Sequence, residues 1–114
     1  MKERKEFRCT VLNREITATV EQLDYGLSIT IFGGEKSHIG ATVVADEKGI
    51  LHSIGLPGHR ELEICEEWAR DLYAVTHEPV SVTAGVHYDE ISRENLKMVI
   101  QVLNEMKKEV KKTI

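Results

Sequence analysis

Three short segments concentrate the residues that can bind or transform a small molecule. They are Gly33-Gly34-Glu35-Lys36-Ser37-His38-Ile39-Gly40, Pro57-Gly58-His59-Arg60-Glu61 and Thr83-Ala84-Gly85-Val86-His87. Histidine offers a neutral nitrogen donor and titrates near neutrality, so His38, His59 and His87, with Glu61 or Asp89, have the donor types for a metal site or for acid/base work. No HExxH or equivalent short spacing joins them, and His52 and His77 read as turn or surface histidines. Glycine tolerates positive φ and close backbone approach, so Gly33, Gly34 and Gly40 can form a nest of N–H groups around a phosphate or carboxylate. A hairpin turn between two strands accounts for the same residues. In the second segment a strand gives way to a helix, whose free N–H groups favour an anion, and Arg60 adds a bidentate donor. Glu61 in the first turn already satisfies the dipole and repels a phosphate, so a polar heterocycle or a metal stands beside an anion as candidate occupant, and an ordinary capped helix is the plainest account. The order of residues supports neither a Ser-His-Asp nor a Cys-His arrangement.

The elements that must position these segments follow from periodicity. Phe7, Cys9 and Val11 alternate with polar residues, Asn13-Arg14 offers a tight turn, and Ile16, Ala18 and Val20 alternate again, predicting a hairpin with one wet face. Leu27, Ile29 and Ile31 predict a third strand ending at Gly33-Gly34, Ala41 to Ala45 a fourth, and Ile50 to Leu56 a fifth that stops at Pro57-Gly58. The period then changes. Leu62, Cys65, Trp68, Ala69, Leu72 and Val75 recur every three or four residues and predict an amphipathic helix from about His59 to Thr76, with Trp68 in the core. Pro79 to His87 alternates as a sixth strand. Ser92 caps a last helix whose apolar face is Leu96, Val99, Leu103, Met106 and Val110, with Ile91 and Leu96 placed as a hydrophobic staple. The sum is an α+β fold, a mostly antiparallel sheet of about six strands with two helices packed on one face, in a single domain spanning residues 1–114. The other sheet face is less apolar, and pairing of two copies is one way to bury it.

Composition narrows the function. A chain of 114 residues is one domain, too short for a barrel or two-domain enzyme, so a large ligand is expected in a surface cleft or between subunits. A formal charge of -4 and 5% aromatic residues argue against a phosphate-tracking nucleic-acid binder. Lys107, Lys108, Lys111 and Lys112 read as a solvated helix end that suits the dipole. The charged first residues are no secretory signal, and no run approaches membrane-spanning length. Cys9 and Cys65 lie far apart on apolar faces without a CxxC pattern, so they read as buried small hydrophobes in a reducing, cytoplasmic protein.

Taken in order, the three segments resemble the prenylated-flavin chaperone family typified by the small accessory subunit of gallate decarboxylase. The resemblance runs from about Leu27 to Met106. It is carried by Gly33-Gly34 followed by His38-Ile39-Gly40, by His59-Arg60-Glu61 as a His-basic-acid motif, and by Thr83-Ala84-Gly85-Val86-His87 beyond the intervening helix. It implies a non-catalytic accessory protein that binds prenylated FMN, with plain FMN as a related ligand, and that delivers it to, or matures, a UbiD-type decarboxylase. The residues it nominates as cofactor-facing are Gly33, Gly34, His38, Gly40, His59, Arg60, Glu61, Gly85 and His87. One departure is the compact Leu56-Pro57-Gly58 stretch before His59, where the typifying protein carries a longer loop, and this bears on partner choice. Two other readings stand beside it: a small metal-dependent or acid/base enzyme using His38, His59, Glu61 and His87, and a structural subunit that docks through its sheet.

Overall fold

The structure, a computed structural model, describes residues 3–58 and 60–114. Alternating apolar residues make β1 (Glu3–Val11) and β2 (Arg14–Gln22), joined by Leu12 and Asn13 at φ 53° and 63°. Two left-handed residues match the right-handed twist of the flanking strands, so the turn sits one residue earlier than Asn13-Arg14. The remaining elements are β3 (Leu27–Gly34), β4 (Lys36–Ala45), β5 (Leu51–Gly55), α1 (Glu61–Thr76), β6 (Val80–His87) and α2 (Arg93–Lys112). The expected α+β fold is what forms: a six-stranded, mostly antiparallel sheet in the order β1-β2-β3-β6-β4-β5.

The order corrects one expectation. β3 and β4 are consecutive in the chain but do not form a hairpin, because β6 lies between them, parallel to β3 and antiparallel to β4. The chain leaves the edge strand β5, crosses the sheet as α1 and returns as β6, the crossover that parallel placement demands. Gly33 and Gly34 therefore end β3 beside Val86 and His87, and the chain bends over the end of β6, where the Glu35 N–H donates to the His87 carbonyl at 2.7 Å.

Both helices cover one face. Ile16, Ala18, Ile29, Ile31, Val43 and Val82 point inward and are fully buried, and α1 seats Cys65, Trp68, Ala69 and Leu72 on them. Val99, Leu103, Met106 and Val110 of α2 complete the core. Ser92 caps α2 by accepting the Asn95 N–H at 3.1 Å, as its sequence position predicts. Two positions of α1 differ from the apolar pattern: Val75 at the helix end is exposed, while Glu61 at the start is buried. Among the described residues no helix is long and apolar enough to cross a membrane.

The β4–β6 ladder carries an irregularity that shapes one end of the sheet. Ser37 pairs Val86 and Ala41 pairs Ala84, so three residues of β4, His38 to Gly40, stand against Gly85 alone. The bulge packs so closely that a Cβ at position 85 would lie 1.5 Å from the His38 carbonyl oxygen. Only glycine fits there, and the bulge turns His38 out of the ladder.

The bulge and the buried thiol each have a measurable consequence. Gly85→Ala displaces the bulge and lowers stability by about 1–3 kcal/mol, read by denaturant unfolding. Burial pushes the Cys65 thiol up to about 12. At pH 8 it is then about one part in ten thousand thiolate, and a thiol reagent labels native protein at Cys9 and reaches Cys65 only on unfolding. A thiol pKa raised by folding contributes stability that is complete below about pH 8.5 and declines by about 1.4 kcal/mol per pH unit towards 12. Cys65→Ala removes that component of alkaline unfolding.

Candidate functional site

The bulge, the start of α1 and the end of β6 meet at one place. His38 is carried off the β4 ladder and its Nε2 lies 3.2 Å from Glu61 Oε1. Glu61 is only 8% exposed, at the first residue of α1. It reaches that depth because residue 40 is glycine: a Cβ there would sit 2.3 Å from Glu61 Oε2. The helix N-terminus presents its positive end to the same carboxylate. Oε2 is buried with no hydrogen-bond donor among the described residues, so Oε1 and the imidazole carry the pairing. On its other side His38 Nδ1 is 3.4 Å from the Lys36 carbonyl. The ring thus lies between two acceptors, the Glu61 carboxylate and the Lys36 carbonyl.

His87 completes the cluster. Its ring centroid is 6.0 Å from that of His38, edge to face. His87 Nε2 is held 2.8 Å from Asp89 Oδ1, and the Asp89 N–H donates to Glu35 Oε2 at 2.6 Å, so the bend after β3 fixes the loop after β6. The Tyr88 hydroxyl donates to the Val11 carbonyl at 2.8 Å and ties the same loop to the end of β1; burial raises its pKa.

This cluster borders a groove of about 750 Å³ between the two helices. Ile31, Ala84 and Val86 form its floor, Ile64 its α1 wall, and Ile91, Leu96, Val99 and Ile100 its α2 wall. Glu61 and His87 reach it from one end, and the mouth carries Arg60 and Arg93 together with Glu63, Glu67 and Glu90. The volume lies within the range of clefts that hold drug-sized ligands.

Of the residues nominated by sequence, the structure brings His38, Gly40, Glu61, Gly85 and His87 together. Arg60 stands at the groove mouth as the residue before α1, and its side chain makes no cap hydrogen bond. Gly33 and Gly34 shape the bend that carries Glu35. His59 lies outside the described residues. The glycines at 40 and 85 serve the site indirectly, one admitting the Glu61 carboxylate and the other the His38 backbone. Among the described residues no three His, Cys, Asp or Glu side chains are arranged to hold a metal ion. The α2 wall and Glu35 were not foreseen. Ile91, Leu96 and Ile100 read in sequence as helix packing residues, and the one cue to Glu35 is its place directly after Gly33-Gly34.

Comparison with known proteins places this geometry. A search of curated proteins finds no significant sequence match. Among solved structures, a chain from the crystal structure of a chaperone complex for yeast 20S proteasome assembly matches with a TM-score of 0.59 over 96% of each chain at 13% identity. That likeness concerns the fold. The profile of the prenylated flavin chaperone LpdD-like domain matches residues 10–114, which include every described residue of the cluster and the whole groove. The chain belongs to the prenylated flavin chaperone LpdD-like family.

Proposed function

We propose that this protein is a non-catalytic, cytoplasmic carrier that binds prenylated FMN in the groove between α1 and α2 and passes it to a UbiD-type decarboxylase. The observation that carries this reading is one groove with an apolar floor and a polar cluster at a single end. A flat fused ring has two apolar faces and one edge rich in carbonyl and N–H groups, and it needs a site divided in the same way. Val86 with Ile64, Ile91, Leu96 and Ile100 supplies the accessible apolar surface, laid over the buried Ile31 and Ala84. His87, oriented by Asp89, and the His38–Glu61 pair behind it supply the hydrogen-bonding end.

The phosphate end is a matter of local charge. The groove mouth holds more carboxylates than guanidiniums, so net charge does not draw the phosphate in. Arg60 and Arg93 are the residues that would hold it, as bidentate donors beside the ends of α1 and α2. Modest affinity follows, and modest affinity suits a protein that gives its ligand away. Cys65 is buried with its pKa raised, so it offers no thiolate to the groove.

In the test, protein mixed with prenylated FMN retains it through gel filtration with a changed visible spectrum. Val86→Arg fills the floor and abolishes retention. His87→Ala weakens binding by roughly 3–10-fold, the worth of one net hydrogen bond. Retention unchanged in folded Val86→Arg rules out this groove, and no retention by folded wild type rules out the carrier. A decarboxylase apoprotein mixed with the loaded carrier gains activity faster than with free cofactor.

A further inference from the structure

The sheet face opposite the helices is uncovered, and its composition is unusual for a surface meant only for water. Register places Thr19, Thr30, Thr83 and Thr42 in one row across four adjacent strands, with Ile54 of β5 at its end. Rows on either side bring Phe32 and Val44 onto the same face. From the middle of β2 to β4 this face carries no charged residue, in a chain that is 30% charged. Ile54 is 66% and Val44 37% exposed. Charges return at the margin, at Glu15 and Glu21 towards the two ends of β2 and at Glu6 of β1, which is bridged by Arg8 at 2.7 Å and Arg4 at 3.5 Å. A neutral centre with a polar and charged rim is the anatomy of an interface.

The size of the patch agrees. With its charged margin included, the whole face of six strands about 4.8 Å apart and about seven residues at 3.3 Å rise gives roughly 650 Å² in projection. A standard interface buries about 800 Å² per partner, and side-chain relief brings the accessible area of this face close to that. The isolated chain exposes 6974 Å², more than the roughly 6,300 Å² typical of its mass.

We infer that this face packs against the same face of a second copy, forming a two-fold homodimer with the helices and both grooves on the outside. A second copy fits because an isologous contact sets each surface against itself. A patch of either charge would repel its own image, whereas a neutral centre built largely of short β-branched side chains meets itself without like-charge contact. Threonine and valine are also small enough for the spacing of about 10 Å at which two sheets pack face to face.

The test is light scattering coupled to gel filtration at micromolar concentrations. Wild type elutes at twice the 12.9 kDa chain mass. Thr30→Arg/Thr83→Arg, at the centre of the face, sets like charges against each other and raises the dimer dissociation constant about a hundredfold or more, with an unchanged circular dichroism spectrum. Val44→Lys, at a residue already 37% exposed, raises it about tenfold and keeps the inference testable if the double variant fails to fold. A wild-type monomer at 100 µM (about the upper end of a practical concentration series), or a dimer that Val44→Lys leaves intact, overturns the inference; the latter assigns pairing to another surface. Monomeric wild type that binds a decarboxylase through this face overturns it equally.

Discussion

The Glu61 carboxylate is the constraint around which the site is arranged. An ionisable group this deep is costly unless it is paired, and its available partner is the imidazole of His38. For that pair to exist, β4 must leave its ladder to free His38, β6 must have no side chain at 85 where the bulge passes, and position 40 must have none where the carboxylate lies. Three chain segments far apart in sequence are thereby fixed to one another at the end of the sheet. The same anchoring sets where α1 begins. Arg60 before it makes no cap hydrogen bond, so the helix start is defined by the buried side chain of its first residue.

Much of the fold was legible because burial imposes simple periods. The two-residue period in β1, β2, β3 and β6 and the three-to-four-residue period in α1 and α2 report one wet and one dry face each. Ser92 marked its helix start because a hydroxyl there satisfies a free N–H. Strand order was less legible. β3 and β4 follow one another through a glycine-rich stretch that reads as a hairpin, and nothing local in that stretch shows that β6 will insert between them. The pairing is settled by what α1 must do: an apolar helix face after β5 has to cover the sheet, and the strand that follows it comes back inside.

The site was legible as residue types and illegible as roles. Histidines and glycines at element junctions stood out in sequence, since bare packing accepts many other residues there, and the structure gathers His38, Gly40, Gly85 and His87 at one end of the sheet. A nest for an anion was the natural reading of Gly40, yet the structure sets the Glu61 carboxylate against it, so its missing side chain makes room for a group of the protein itself. Glu61 read as a dipole-matching residue of a first helical turn because sequence gives no measure of depth. The groove wall from α2 was hidden for a similar reason: Leu96 and Ile100 have the spacing of core residues, and whether such residues meet a sheet or line a gap depends on how far apart the two helices stand.

That separation explains how 114 residues hold a site of this size. A domain this small has one core and no interior to spare, and a ligand cavity inside it would remove the packing that keeps it folded. The chain instead places α1 over β4, β5 and β6 and α2 towards β1, and leaves the gap between them as the groove. The floor is then the middle of the sheet, already built and rigid, while the α2 wall is the N-terminal half of a helix anchored farther along by Leu103, Met106 and Val110. β6 serves both sides of this arrangement. Ala84 and Val86 face the groove, and Ser81 and Thr83, one step out of phase, face away from it. Because a strand alternates strictly, substitutions that tune the groove floor leave the opposite face untouched, and a ligand on one side of the sheet does not compete for space with a protein surface on the other.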